Sequence, residues 1–318
     1  MRQVFDISTW KGRPEEWPYG NQRKWTENGL WYKEDFPDRP EAAGEYLVSQ
    51  ILRSSNVSCF ADYDLVTSER NGTKAHICVS KDFLTNGIAI EELSKTEKKH
   101  LPQLLPVYDI LGEHYGEYDK ACKNRVGWWG IYNRFTKHMS NKELIQNFVS
   151  VIEAETGLKD FGGYITMLCE LDAITRNIDR HLSNICVVYL RDEHKYLYCP
   201  VFDNGASFSA TTHYDFNTMT DPDIALFARL KPYGLFGKDF EKTVKCCHEL
   251  YGPRLQILKS LDMEPAFAKV EQLYDKNTAV KMRKVWNRAK GLHKDFFVDE
   301  ITRRPVKKEP RDICRNIR

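Results

Sequence analysis

Residues 177–184 read NIDRHLSN: an acid, two bases and two amides packed into eight positions. The run is too polar for a core, yet both its flanks are apolar. Before it, FGGYITMLCELDAITRN places Tyr164, Leu168, Leu171 and Ile174 on one helical stripe. After it, NICVVYL and YLYCPVF are β-patterned runs joined by the polar RDEHK, which reads as a hairpin. The chain must therefore present a charged loop between a buried helix and a strand pair. An ordinary helix end at Asn177-Ile178-Asp179, with Asn184 opening a strand, would meet the same local pattern.

The remaining chain divides by period. In the first eighty or so positions, VFDIST, QRKWTEN and GLWYKEDF are short aromatic and β-branched runs, with Gly12, Gly20 and Gly29 available for turns. DRPEAAGEYLVSQILRSS then changes to helical spacing, with Glu45, Val48 and Leu52 on one face. SCFADYDLVT and KAHICVSKDF are two further strands around the turn signal at Glu69-Arg70-Asn71-Gly72. Strands, one helix and more strands make a small α+β unit, assigned to residues 1–84. Residues 85–318 are mostly helical: EELSKTEKKHLPQLLPVYDIL and NKELIQNFVSVIEAETG precede the loop. DIALFARL, KDFEKTVKCCHELYG, EPAFAKVEQLYD and NTAVKMRKVWNRAKGLHKDFF follow it. The polar SFSATTHYDFNTMTDPD reads as an extended loop, and TRRPVKKEPRDICRNIR as a fraying basic end.

Composition narrows the function classes. A formal net charge of +2 over 318 residues gives no global pull toward nucleic acid. Neither an apolar leader core nor a stretch approaching a membrane span occurs, which leads to an expectation of a cytoplasmic protein without a membrane partner. The nine cysteines form no C-x-x-C pair and sit partly in apolar contexts, as buried reduced thiols do. No H-E-x-x-H occurs among the nine histidines. The aromatic WWGIYNRF reads as packing rather than as a base-stacking platform.

Three features fall in one order along the chain. Lys33 lies in the apolar strand WYK, before a helix that carries Glu41 and Glu45. Asp179 and Asn184 sit five positions apart in the polar loop. Asp203 ends the following hairpin in VFDNG. Phosphoryl transfer from ATP needs such parts: a lysine held by a glutamate to grip phosphates, a carboxylate for the attacking hydroxyl, and hard oxygen ligands for Mg²⁺. The kinase scheme spaces its catalytic aspartate and its metal-binding asparagine in this way, then supplies a second metal-binding aspartate before a glycine. Asp-Asn-Gly is also a good hairpin turn, and a lysine on a strand edge is ordinarily a solvated one.

With N-x-D-R-H-x-x-N, a strand pair and F-D-N-G in succession, the chain resembles the HipA-like branch of the protein-kinase-like superfamily. The D-R-H-x-x-N theme is shared with phosphoinositide kinases. WYKEDF…EAAGEYLVSQIL and HICVSKDFL are similar to the first-lobe and hinge portions of compact HipA-like kinases. The resemblance implies an α+β, two-lobed protein-kinase-like fold, with a small β-rich N-lobe and a larger, mainly helical C-lobe. It also implies ATP and Mg²⁺ as cofactors and a serine or threonine of a protein as acceptor. Asp179 would be the catalytic base, Asn184 and Asp203 the metal ligands, and Lys33 the phosphate contact with Glu45 as its ion-pair partner. Ser80, Asp82 and Phe83 would form the ATP-binding hinge. Arg180 and His181 would shape the loop, or His181 would touch the transferring phosphate.

Two departures accompany this resemblance. No G-x-G-x-x-G occurs; TWKGRPEEWPYGN has only Gly12 and Gly20 where a phosphate-covering loop belongs. Lys33 also comes too early for the extra N-terminal subdomain of full-length HipA toxins, which weakens the expectation of an antitoxin or other regulatory protein partner. A small-molecule or lipid kinase and a nucleotide-binding pseudokinase remain as alternatives. So does autophosphorylation on the hydroxyls of SFSATT.

Overall fold

The structure is a computed structural model, and it describes residues 5–6, 22–36, 39–70, 72–115, 138–210, 230–232 and 236–302. Near its beginning stands a five-stranded sheet. In chain order the strands are β1 (Phe5–Asp6), β2 (Lys24–Glu27), β3 (Leu30–Glu34), β4 (Asp64–Arg70) and β5 (Thr73–Lys81). Their spatial order is β1-β4-β5-β3-β2. β2 turns into β3 through Asn28-Gly29, with φ of 49° and 71°. Positive φ at both central positions gives a turn whose twist matches that of the strands. That hairpin sets the register: Lys24 faces Lys33, and Lys33 faces Cys78 on β5. Directly opposed residues share a face, so Lys24, Lys33 and Cys78 look the same way. On the reverse face Trp25 stacks on Tyr32, ring centroids 5.2 Å apart.

Helix α1 (Glu41–Arg53) lies against the Lys33 face. It buries Leu47, Val48, Ile51 and Leu52 in the cluster that also takes Leu65 and Cys78 of the sheet. Proline at position 40 is well placed just before the first turn, where a missing N–H is harmless.

The segment expected to be helical over EELSKTEKKHLPQLLPVYDIL is broken instead. It contains α2 (Lys95–Lys99), then β6 (Gln103–Pro106), then α3 (Val107–His114). Pro102 precedes β6 and Pro106 ends it, each lacking the N–H that a helix interior requires. β6 pairs with β7 (Cys186–Leu190), and β7 with β8 (Lys195–Tyr198), giving the expected hairpin a third strand.

Two helices lead to the polar loop, α4 (Asn141–Thr156) and α5 (Phe161–Thr175). α4 begins in a capping box between Ser140 and Glu143 and ends on Gly157 in the left-handed region. The Tyr164–Ile174 stripe of α5 is buried, but so are Thr166, Glu170 and Asp172, so this helix is central rather than amphipathic. Around it come α6 (Phe240–Tyr251), α7 (Glu264–Leu273) and α8 (Lys276–Leu292). A short parallel pair, β9 (Ile257–Leu258) with β10 (Phe297–Val298), ties the chain's later part together. One continuous apolar cluster runs from Leu47 and Ile51 through Leu168 and Leu171 to Met282 and Trp286.

Cys78, Cys186, Cys199 and Cys247 are buried free thiols. No helix among the described residues is long and apolar enough to cross a membrane. The stretch with Gly12 and Gly20, WWGIYNRF, the polar run after Ala210, DIALFARL up to position 229 and the basic end after Thr302 lie outside the described residues.

Candidate active site

Lys33 is buried under α1, and its Nζ donates to Glu45 Oε1 at 2.5 Å and to Asp203 Oδ1 at 2.9 Å. Glu45 is bound at both oxygens, because its Oε2 accepts the backbone N–H of Asn204 at 2.9 Å. A strand, a helix and the VFDNG segment thus meet at one ion triad. Gly44 permits the approach: a Cβ there would lie 2.6 Å from the carbonyl oxygen of Gly205. Of the two glutamates one turn apart, Glu45 is therefore the partner of Lys33, while Glu41 lies 3.9 Å from Arg39. VFDNG makes no hairpin turn, since β8 has ended at Tyr198 and the segment runs on into a 3₁₀ turn at Ser207–Ser209.

Burial alone would lower Lys33, but Asp203 and Glu45 reverse that and hold its ammonium well above the ordinary lysine value. Burial works against the Asp203 carboxylate too, and the ammonium groups of Lys33 and Lys24 hold it well below the usual range. Glu41 is offset only in part by Arg39 and Lys33; burial and the negative charge of Asp203 push it up to about 7.

The polar loop is built by its own amides. α5 closes at Arg176 in the left-handed region, φ 54°. Asn177 Nδ2 donates to Asp172 Oδ1 at 3.1 Å, and its Oδ1 accepts from Asp179 N at 3.2 Å. Asn184 Nδ2 donates to the Asp179 carbonyl at 2.8 Å, which closes the five-residue interval. That bond leaves the Asn184 Oδ1 as an acceptor for another partner. The Asp179 side chain is about half exposed, and His181 Nε2 sits 3.8 Å from its Oδ1.

Arg180 fastens this loop to the Asp203 segment. Its guanidinium grips Asp172 through Nε at 3.1 Å and Nη2 at 2.9 Å, and Nη2 also reaches Asn204 Oδ1 at 2.6 Å. Nη1 bonds the carbonyls of Phe202 at 3.0 Å and Asn184 at 3.4 Å. One nitrogen therefore holds Asn184 beside the residue that precedes Asp203. The oxygens available there, the Asp203 carboxylate and the Asn184 amide, are hard donors of the kind Mg²⁺ takes when phosphates and water complete its shell.

The expected hinge residues sit where β5 leaves the sheet. Ser80 pairs across with Trp31. Asp82 N donates to Gly29 O at 2.9 Å, and its Oδ1 accepts Leu84 N at 2.9 Å. The Phe83 ring lies 6.1 Å from that of Phe202, adjacent to Asp203. Ser207 and Ser209 of SFSATT are fully buried, which withholds them from solvent in this conformation.

Three contributors escaped the sequence reading. Asp172 carried a signal, a lone aspartate within an apolar helix that must be paired when buried. Asn204 carried none beyond its place in the motif. Lys24 follows from the Asn28-Gly29 turn, which pairs position 24 with position 33.

The chain matches no protein-family model and no curated protein. It is similar in structure to the proinflammatory kinase CtkA of Helicobacter pylori, with 15% sequence identity, 92% of this chain and 96% of that one covered, and a TM-score of 0.55. Another neighbour is HipA of Shewanella oneidensis MR-1, seen in complex with HipB and operator DNA. There the identity is 13%, the coverage 91% and 67%, and the TM-score 0.44. The likeness to CtkA shows the fold: an N-terminal sheet region and a larger helical part, arranged as in that kinase.

Proposed function

We propose that this chain is an ATP- and Mg²⁺-dependent, HipA-like kinase that phosphorylates a serine or threonine hydroxyl of a protein. The observation that carries the reading is the Lys33–Glu45–Asp203 triad, its lysine and glutamate buried, fastened by Arg180 to the loop of Asp179 and Asn184. Bound ATP supplies the phosphoryl group, with Mg²⁺ neutralising its oxygens.

Lys33, kept charged by its two carboxylates, offers its ammonium to the phosphates. Asn184 Oδ1 and Asp203 would hold the metal. Ser80, Asp82 and Phe83 would line the adenine end of a cleft between an N-lobe of residues 1–84 and a C-lobe of residues 85–318. Asp179, exposed enough to meet a second molecule, would orient the acceptor hydroxyl and take its proton at a carboxylate oxygen. His181 stands beside it, in reach of the same hydroxyl.

Asp179→Ala should lower transfer of radiolabelled phosphate to proteins by roughly 10²–10⁴-fold while leaving ATP affinity unchanged. Full activity in that variant would remove the mechanism. Transfer to lipids or small molecules alone would remove the protein acceptor, and ATP binding without any transfer would leave a nucleotide-binding module.

A further inference from the structure

Lys24 is the charge that the proposed mechanism leaves unused. It sits on β2 directly opposite Lys33 in an antiparallel pair, so both ammonium groups rise from one face of the sheet. Like charges so opposed are destabilising unless anions answer both. Lys33 has its answer in Glu45 and Asp203. Lys24 is only partly exposed, and no described residue forms a hydrogen bond or an ion pair with it. The register that sets it against Lys33 places it over the same site, where it feels the charges of Asp203, Glu45 and Glu41.

A partly desolvated ammonium without a partner is costly to keep. Its three donors are best satisfied by an anion that enters the cleft from outside the protein. The sequence explains why one is needed. Only Gly12 and Gly20 precede the β2–β3 turn, so the sequence there holds no G-x-G-x-x-G. Lys33 is already committed to two carboxylates, which limits what it can add.

We infer that Lys24 is a second phosphate-binding residue, which grips the polyphosphate tail of the nucleoside triphosphate from β2 and does for it what a glycine-rich loop does in other kinases. This inference rests on the nucleotide reading above. Lys33 holds its side of the tail while anchored by acids; Lys24 meets the tail with an ammonium that no described carboxylate holds in a close ion pair. Contact with the phosphates, and not with the base or sugar, is what separates this role from general shaping of the cleft.

The test is calorimetric titration of the full chain with MgATP and, separately, with adenosine, for wild type, Lys24→Met and Lys24→Arg. Lys24→Met should weaken MgATP binding about tenfold or more, the loss expected for one charge-assisted hydrogen bond. Adenosine affinity should not change, and Lys24→Arg should keep most of the MgATP affinity. Unchanged MgATP binding in Lys24→Met overturns the assignment, as does an equal loss for adenosine. If the wild type binds neither ligand, the nucleotide reading itself falls and this inference with it. If it binds both and Lys24→Met matches it, Lys24 alone is withdrawn.

Discussion

Glu41 and Glu45 stand one turn apart on the same helix and meet opposite fates. Sequence spacing could not choose between them as the partner of Lys33, because i and i+4 share a face. The choice is made by Gly44, which lets the second turn of α1 touch the 203–205 backbone. Glu41 is left partly buried near Asp203 with a pKa pushed up to about 7. Between its ordinary value and about 7, the folded chain keeps a proton that the unfolded chain has released. Stability therefore falls as pH rises through that window and stays reduced above it. Without metal, Glu41→Gln should match wild type near pH 4.5 and exceed it at pH 8 by at most about 3 kcal/mol. Denaturant unfolding in EDTA at the two pH values measures this; equal stability at pH 8 would refute it. Arg180 and His181, both expected to shape the loop, divide in a similar way. Arg180 is buried and bonded to four residues, while His181 stays partly exposed beside Asp179.

Among the elements, Gly44 gives the clearest contest between local and tertiary demands. Alanine is the better helix former by about 1 kcal/mol. Its methyl group would nevertheless press on the Gly205 carbonyl carbon and oxygen, backbone atoms that cannot swing aside. Gly44→Ala should thus destabilise the chain by about 1–3 kcal/mol despite its propensity, lowering the melting temperature. A rise in that temperature would show the contact to be slack. The helices were readable because burial repeats at their period over three or more turns, as in α4 and α8. The β2 and β3 runs were readable, with Gly29 as a turn residue between them. β6 was not, because a four-residue run ending in a proline carries no period, and it becomes a strand only by pairing with β7. β9 and β10, two residues each, are still further below that threshold. Of the site, Lys33, Asp179, Asn184 and Asp203 were legible as a motif, whereas Asp172 and Asn204 act through contacts from separate elements.

At the scale of the whole molecule, the early sheet is latched to the late helices away from the triad. Lys74 and His76 of β5 both bond the carbonyl of Leu273 at the end of α7. Tyr274 stacks on His76 with centroids 3.8 Å apart and donates its hydroxyl to Asp35, just past β3. Lys269 pairs with Asp64 of β4. Burial drives the Asp35 carboxyl well above the usual range even with that hydroxyl bonded to it. Tyr274→Phe removes the donor and should cost about 1–3 kcal/mol, with faster amide hydrogen exchange in β3 and α7 together. Faster exchange in one alone would mean that the latch does not couple them. The triad adds a dependence of another kind. Lys33 and the second carboxylate that neutralises it are 170 positions apart. Synthesis from the N-terminus therefore delivers the five sheet strands long before Asp203 exists to meet the lysine they bury. A nascent chain halted between them carries an ammonium short of one counter-ion, so the sheet gains its full stability only after most of the protein has been made.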